Sequence, residues 1–150
     1  MFKRILVPVD GSETSTKALV AALQLARESG GRVRILHALD ELAYLSGYEY
    51  SGEMLARARE QAHKVVEDAM AIAKSSGVPA DSHLLEAPGR RLGDVVAEEA
   101  RAVEADLVVV GTHGRRGISR LVLGSGAEQV IRMAPVPVLA VRAPEPPAGA

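Results

Sequence analysis

Apolar positions along this chain follow two rhythms that alternate from one end to the other. Residues 4–9 read R-I-L-V-P-V, and D-G-S breaks the run at 10–12. A short apolar run rich in β-branched residues and closed by turn residues predicts a buried strand. Ala18, Leu19, Ala22, Leu23 and Ala26 then recur at three- and four-residue intervals, which predicts a helix over 14–29, stopped by Gly30 and Gly31. The alternation continues with a strand over 33–39, a long helix over 53–76 ended by G-V-P, and a weaker strand over 82–87. A helix follows over 92–104, then four consecutive apolar residues at 107–110 that stop at Gly111. The last two elements are a helix over 125–133 and a strand over 138–142, the latter introduced by P-V-P. Residues 40–52, which hold all three tyrosines, and residues 112–123 show neither period and read as loops.

Five strands separated by four helices predict an α/β fold, with an open five-stranded parallel sheet built by right-handed crossovers and helices on both faces. Composition agrees. Aromatic residues make up only 3 %, with one Phe and no Trp, so the core must be Val, Leu, Ile and Ala, as suits a parallel sheet covered on both faces. The 150 residues suggest one domain, expected over 1–142, with a loose Pro- and Ala-rich tail over 143–150. There is no internal repeat.

Charge and residue types narrow the function classes. Lys and Arg number 18 against 19 Asp and Glu, so there is no basic footprint for nucleic acid, and the scarcity of aromatics leaves no base-stacking surface. The chain has no cysteine, which removes disulfides, thiolate metal sites and cysteine nucleophiles. No apolar run reaches about 18 residues. The opening M-F-K-R runs into the first strand without a signal-like segment. These features lead us to expect a cytoplasmic protein with no membrane partner.

Two strand ends carry the chemistry. In open α/β sheets, ligands bind beyond the carboxyl ends of the strands, where strand order reverses. The first strand closes on Pro8, Val9, Asp10, Gly11 and Ser12; the fourth opens a loop reading G-T-H-G-R-R-G-I-S-R-L-V-L-G-S over 111–125. If those strands are neighbours, Asp10 faces the glycine loop across a crevice. A carboxylate suits ribose hydroxyls, and glycine backbone N–H groups suit phosphates. Gly111 and Gly114 permit close approach of an anion, and the helix starting near Gly124 and Ser125 directs its positive end at the loop. Ser125 and Glu128 also match a capping box, and Asp10 equally suits an Asx turn or a helix cap. Arg115, Arg116 and Arg120 could neutralise phosphates, and His113, between Thr112 and Gly114, could bind a phosphate or carry a proton; each also fits a solvated loop. His37 reads as structural. His63 and His83 show no metal-ligand spacing and receive no role. Glu53, Arg57, Glu60 and Lys64 fit a solvated helix face with i,i+4 pairs. Neither a P-loop nor the dinucleotide G-x-G-x-x-G is present.

The loop resembles that of the universal stress proteins, whose nucleotide-binding members carry Gly, two residues, Gly, nine residues, then Gly and Ser or Thr. Gly111, Gly114, Gly124 and Ser125 stand at that spacing. The opening I-L-V-P-V-D-G-S and the L-H-A-L-D at 36–40 are similar to the family's first strand and second strand end. The resemblance implies a Rossmann-like sheet in the order 3-2-1-4-5 and ATP or a related adenine nucleotide at the crevice. It implies Asp10 on the ribose, Pro8 and Val9 along the adenine pocket, and Ala38 meeting the adenine edge through its backbone. Gly111, Gly114, Gly124, Ser125 and Gly126 would surround the phosphates, with Mg²⁺ or Mn²⁺ held by phosphates and water. Gly126 departs from the bulkier residue usual there. In that order strand five, from Val138 to Arg142, is an apolar edge, and antiparallel pairing of two copies is expected to give a homodimer; prolines 135 and 137 precede its core. The protein partner is not legible.

Three other readings stay open. An ATP hydrolase or nucleotidyl transferase on a related fold would need an early His-Gly-His type signature, where D-G-S stands instead, and the loop offers no Lys or evident general base. An interaction module with an empty pocket predicts no response to ATP. A phospho-receiver domain needs an Asp ending strand three and a Lys ending strand five; the chain has E-A-P-G and Arg142. The expectation is a regulatory nucleotide binder with at most slow hydrolysis.

Overall fold

A computed structural model describes residues 1–40, 52–113 and 123–142. The elements run β1 (Arg4–Pro8), α1 (Glu13–Ser29), β2 (Arg32–Leu39), α2 (Gly52–Ser76), β3 (Ala80–Glu86), α3 (Leu92–Ala102), β4 (Leu107–Gly111), α4 (Ser125–Met133) and β5 (Val138–Val141). The sheet is β3-β2-β1-β4-β5, and every neighbouring pair is parallel. The α/β class, the five strands and the 3-2-1-4-5 order are therefore as expected. The loop at 41–51, most of the glycine loop (114–122) and the tail at 143–150 lie outside the described residues.

Side chains in a strand alternate between faces, and in β1, β2 and β4 both faces are apolar. Ile5, Val7, Val33, Ile35, Leu107 and Val109 pack against Ala18, Leu19 and Ala22 of α1 and Val65, Ala69 and Ala73 of α2. On the opposite face Leu6, Leu36, Val108 and Val110 pack against Val95, Val96 and Ala100 of α3 and Ala127 and Val130 of α4. Two helices thus cover each face.

Arg34 interrupts the second face. Its Nε lies 3.2 Å from Glu99 Oε2 and its Nη1 3.0 Å from Asp81 Oδ2. The same Glu99 oxygen sits 2.8 Å from His83 Nδ1. Glu99 is only 7 % exposed, so its charge is tolerable because two partners reach it. His83, which the sequence left without a role, therefore helps tie α3 to β2 and β3.

Helix ends explain where boundaries moved. The helix expected over 92–104 stops at Ala102. Glu104 adopts φ 54°, and the Glu104 and Ala105 N–H groups bond the Arg101 and Ala100 carbonyls at 3.2 and 2.8 Å. That is a Schellman closure, made here by Glu in the left-handed position usually taken by Gly. At α1 the usual residue is present: Gly30 has φ 70°. The remaining expected bounds shift by one or two residues, as element ends commonly do.

Candidate functional site

The carboxyl ends of β1, β2 and β4 share one edge of the sheet, because the strands are parallel and adjacent. The β1 end is held by short-range bonds. Asp10 Oδ1 accepts from the Ser12 N–H at 2.9 Å, an Asx turn. Ser12 is the N-cap of α1, and its Oγ accepts from the Ser15 N–H at 3.1 Å. Ser15 Oγ donates to the Ser12 carbonyl at 3.0 Å and accepts from the Asp10 N–H at 3.3 Å. Gly11, at φ 83°, makes the turn between them. The turn reading of Asp10 is thus present, with the cap supplied by Ser12. The same bonds fix a half-buried carboxylate at the end of the central strand.

Pro8 ends the paired part of β1 opposite Leu36. Val9 is buried, and its N–H donates to the Leu36 carbonyl at 2.8 Å. In β2 the Leu36 carbonyl faces β1 and the Leu39 carbonyl faces β3, where it accepts from the Ala87 N–H. Since N–H and C=O of one residue point the same way in a parallel ladder and alternate along the strand, the peptide groups of Ala38 face the β1 side, beyond the point where β1 has ended.

At the β4 end, Gly111 meets α1 at short range. A Cβ built on Gly111 would lie 2.8 Å from Thr14 Cγ2 and 3.0 and 3.1 Å from the Thr14 carbonyl carbon and oxygen. Its lack of a side chain serves close packing of β4 on the first turn of α1. Thr112 is buried; its N–H donates to the Val141 carbonyl at 2.9 Å, and its own carbonyl accepts from the Gly124 N–H at 2.8 Å. The two feet of the glycine loop are therefore joined. His113 Nδ1 lies 3.0 Å from Thr112 Oγ1. Gly114, Arg115, Arg116 and Arg120 fall outside the described residues.

The expected capping box does not form. Gly124 is the N-cap of α4, with no side-chain cap bond, and Ser125 is the first helical residue. The Glu128 carboxylate instead takes a hydrogen bond from Arg132 one turn on, at 2.6 Å, a pairing that favours the solvated face of the helix. The Glu128 N–H is bonded to the Gly124 carbonyl, so the N–H groups of Ser125, Gly126 and Ala127 are those left without an intrahelical acceptor. Gly126 sits in the seam between α3 and α4, where a Cβ would lie 2.9 Å from Leu92 Cδ2.

The sheet edge thus assembles Val9, Asp10, Ala38, Gly111, Thr112, Gly124 and Ser125, while Gly126 also serves helix packing. Sequence reasoning missed Thr14, whose meeting with Gly111 leaves no trace in spacing or period. The i,i+4 pairing expected on α2 is seen between Glu53 and Arg57 at 3.6 Å.

Known proteins resemble this chain over nearly its whole length. The Universal stress protein family matches residues 1–142. The "Universal stress protein in QAH/OAS sulfhydrylase 3'region" of Thermus aquaticus is 37 % identical over 142 residues, covering 95 % of this chain and 100 % of that protein. Among solved structures, one titled as the hypothetical protein MJ0577 superposes with a TM-score of 0.82 at 26 % identity, covering 97 % of this chain and 99 % of that one. A universal stress protein in complex with cAMP gives 0.70 at 26 % identity, covering 95 % and 98 %. The universal stress protein of Archaeoglobus fulgidus in complex with dAMP gives 0.67 at 28 % identity, covering 93 % and 98 %. With its five parallel strands in the order 3-2-1-4-5 and its glycine-spaced loop at the end of β4, this chain belongs to the universal stress protein family.

Proposed function

We propose that this chain is a regulatory protein of the stress response that binds an adenine nucleotide, ATP in the first place, in the crevice between the ends of β1 and β4. The observation that carries the reading is the meeting, at one sheet edge, of a turn-fixed Asp10 carboxylate and the start of a helix with no side-chain cap. A helix start offers N–H donors and a partial positive charge to phosphate. The dAMP and cAMP complexes of related proteins support an adenine nucleotide as the ligand. In this reading Asp10 accepts from ribose hydroxyls, Pro8 and Val9 line the adenine pocket, and Ala38 meets the adenine edge through its backbone. Gly111, Thr112, His113, Gly114, Arg115, Gly124, Ser125 and Gly126 surround the phosphates.

The described residues contain no group of three or more His, Cys, Asp or Glu side chains able to hold a metal ion. In this reading Mg²⁺ or Mn²⁺ is bound mainly through phosphate oxygens and water, neutralising charge where the protein supplies N–H dipoles. Asp10 is committed to the sugar end and to its own turn, so ATP hydrolysis is at most slow. ADP release from Mg-ATP is expected below about 1 s⁻¹, the low end of ordinary enzyme rates.

The working form in this proposal is a cytoplasmic homodimer joined by antiparallel pairing of β5. That strand pairs with β4 alone among the described strands, and Leu139 on it is 41 % exposed, an open apolar edge of the kind that recruits a second strand. No described helix is long and apolar enough to cross a membrane.

The test is a thermal-shift series with ATP, ADP, AMP and cyclic AMP. A ligand at 100 times its Kd adds about 2.7 kcal/mol, so saturating nucleotide raises the Tm by several degrees. Absence of a shift with all four overturns the reading. Sedimentation decides the assembly: a monomeric mass at micromolar concentration rules out the β5 dimer.

A further inference from the structure

His37 stands one residue before Ala38 on β2. Its Nδ1 lies 2.6 Å from the carbonyl oxygen of Val9. A carbonyl only accepts, so Nδ1 carries the proton and donates. The bond occupies a particular place in the ladder. In a parallel pair, a bonded residue gives its N–H to one residue of the neighbouring strand and takes an N–H from the residue two further on. The Lys3 carbonyl accepts from the Arg32 N–H, and the Val9 N–H donates to the Leu36 carbonyl, each at 2.8 Å. That rhythm puts the next bond between the Ala38 N–H and the Val9 carbonyl. The bond is not made; the paired register stops at Pro8 opposite Leu36, and the imidazole holds the carbonyl instead.

We propose that His37 is a positioning residue of the nucleotide site. By taking the Val9 carbonyl it ends the β1–β2 ladder one bond early and keeps the Ala38 N–H turned to the crevice as a donor. Ala38 then presents N–H and C=O side by side. That edge complements a purine carrying a ring-nitrogen acceptor beside an amino donor, which is adenine. It opposes hypoxanthine, whose ring nitrogen at that position is itself a donor. His37 thus sets base preference without touching the base. The inference rests on the adenine-nucleotide reading above.

Three variants separate the possibilities. His37→Asn brings an amide donor near the Nδ1 position, His37→Leu removes the donor, and His37→Gln moves it out of reach. Two measurements apply to each: amide hydrogen exchange at Ala38 by NMR in nucleotide-free protein, and titration with AMP and with IMP. In wild type and in His37→Asn the Ala38 amide exchanges fast and AMP is preferred to IMP. In His37→Leu and His37→Gln the Val9 carbonyl is released to Ala38, the amide becomes protected, and AMP binding weakens about tenfold, the worth of one neutral hydrogen bond. IMP binding changes little, so the AMP-to-IMP ratio collapses. A merely structural His37 would weaken both nucleotides together. An unchanged ratio in His37→Leu and His37→Gln, or an Ala38 amide that exchanges equally fast in all variants, overturns the proposal. Wild-type protein that binds neither nucleotide overturns the functional reading instead, and the Ala38 amide still decides whether His37 ends the ladder.

Discussion

Replacing Gly111 with Ala tests why a glycine closes β4. The added methyl would sit 2.8 Å from Thr14 Cγ2, and 3.0 and 3.1 Å from the Thr14 carbonyl carbon and oxygen. Carbon atoms rest at about 3.5–4.0 Å, so α1 and β4 must separate by roughly half an ångström or more. Rotation of the Thr14 side chain relieves the first clash and neither of the other two, because they involve backbone. Overpacking of this kind costs about 1–3 kcal/mol. The loss of unfolded-chain entropy on going from Gly to Ala returns about 0.4–1 kcal/mol where the backbone permits it, and Gly111 is not among the residues with positive φ. The net expectation is a destabilisation of about 1–2 kcal/mol, a Tm lower by about 2–8 °C for a domain of this size. Gly126→Ala is the control. Its nearest clash, 2.9 Å, is with the flexible end of Leu92, and Ala gains about 1 kcal/mol of helix propensity, so its stability should be close to wild type. Urea denaturation with unchanged m-values would measure both. Gly111→Ala as stable as wild type, or Gly126→Ala equally damaged, would refute the packing argument and return Gly111 to a purely ligand-facing role.

Three further substitutions probe other parts of the molecule. Ser12→Ala removes the N-cap of α1 and should cost about 1 kcal/mol in chemical denaturation. Glu99→Ala strips Arg34 and His83 of a shared buried carboxylate; because Arg34 keeps Asp81 and both partners reach solvent, a loss of about 1–3 kcal/mol is expected, below the usual 3–5 for a fully buried pair. Asp10→Asn keeps an acceptor for the Ser12 N–H and so should fold normally. It should weaken AMP binding by tenfold or more in calorimetry, since bonds to a charged group are worth about 1.5–3 kcal/mol; wild-type affinity would remove Asp10 from the ribose.

Much of the fold was legible because β1 and β4 are apolar along nearly their whole length, β2 carries the same apolar run broken at Arg34, and α1 keeps a strict helical period. The residues of the crevice were legible as strand ends. What escaped is nonlocal. Gly111 reads as room for an anion until Thr14, 97 positions earlier in the chain by subtraction of the two residue numbers, is seen against it. The Ser125 and Glu128 pair satisfies the capping-box spacing, yet the helix starts one residue earlier than a Ser cap requires, so that Ser125 is already helical, and Glu128 turns to Arg132. Apolar Val103 carried the period of α3 past its true end, where Glu104 takes a backbone conformation that favours glycine. His83 acquired a role only through Glu99, which approaches from another layer.

The central strand has partners from both ends of the chain: β2, which follows soon after it, and β4, nearly a hundred residues downstream. The Lys3 N–H even bonds the Asp106 carboxylate across 103 positions. During synthesis at about 5–20 residues per second, β1 can pair with β2, β3 can join the far side of β2, and α1 and α2 can collect on one face. Its other edge, and the apolar row of Leu6 and Leu36 on its other face, stay bare until the last third of the protein leaves the ribosome. The nascent chain spends several seconds with an unpaired strand edge, apolar from Ile5 onward, at its centre, the kind of surface that holdase chaperones cover. A stop codon or stall before Leu107 would therefore yield a sticky half-sheet rather than a smaller working domain.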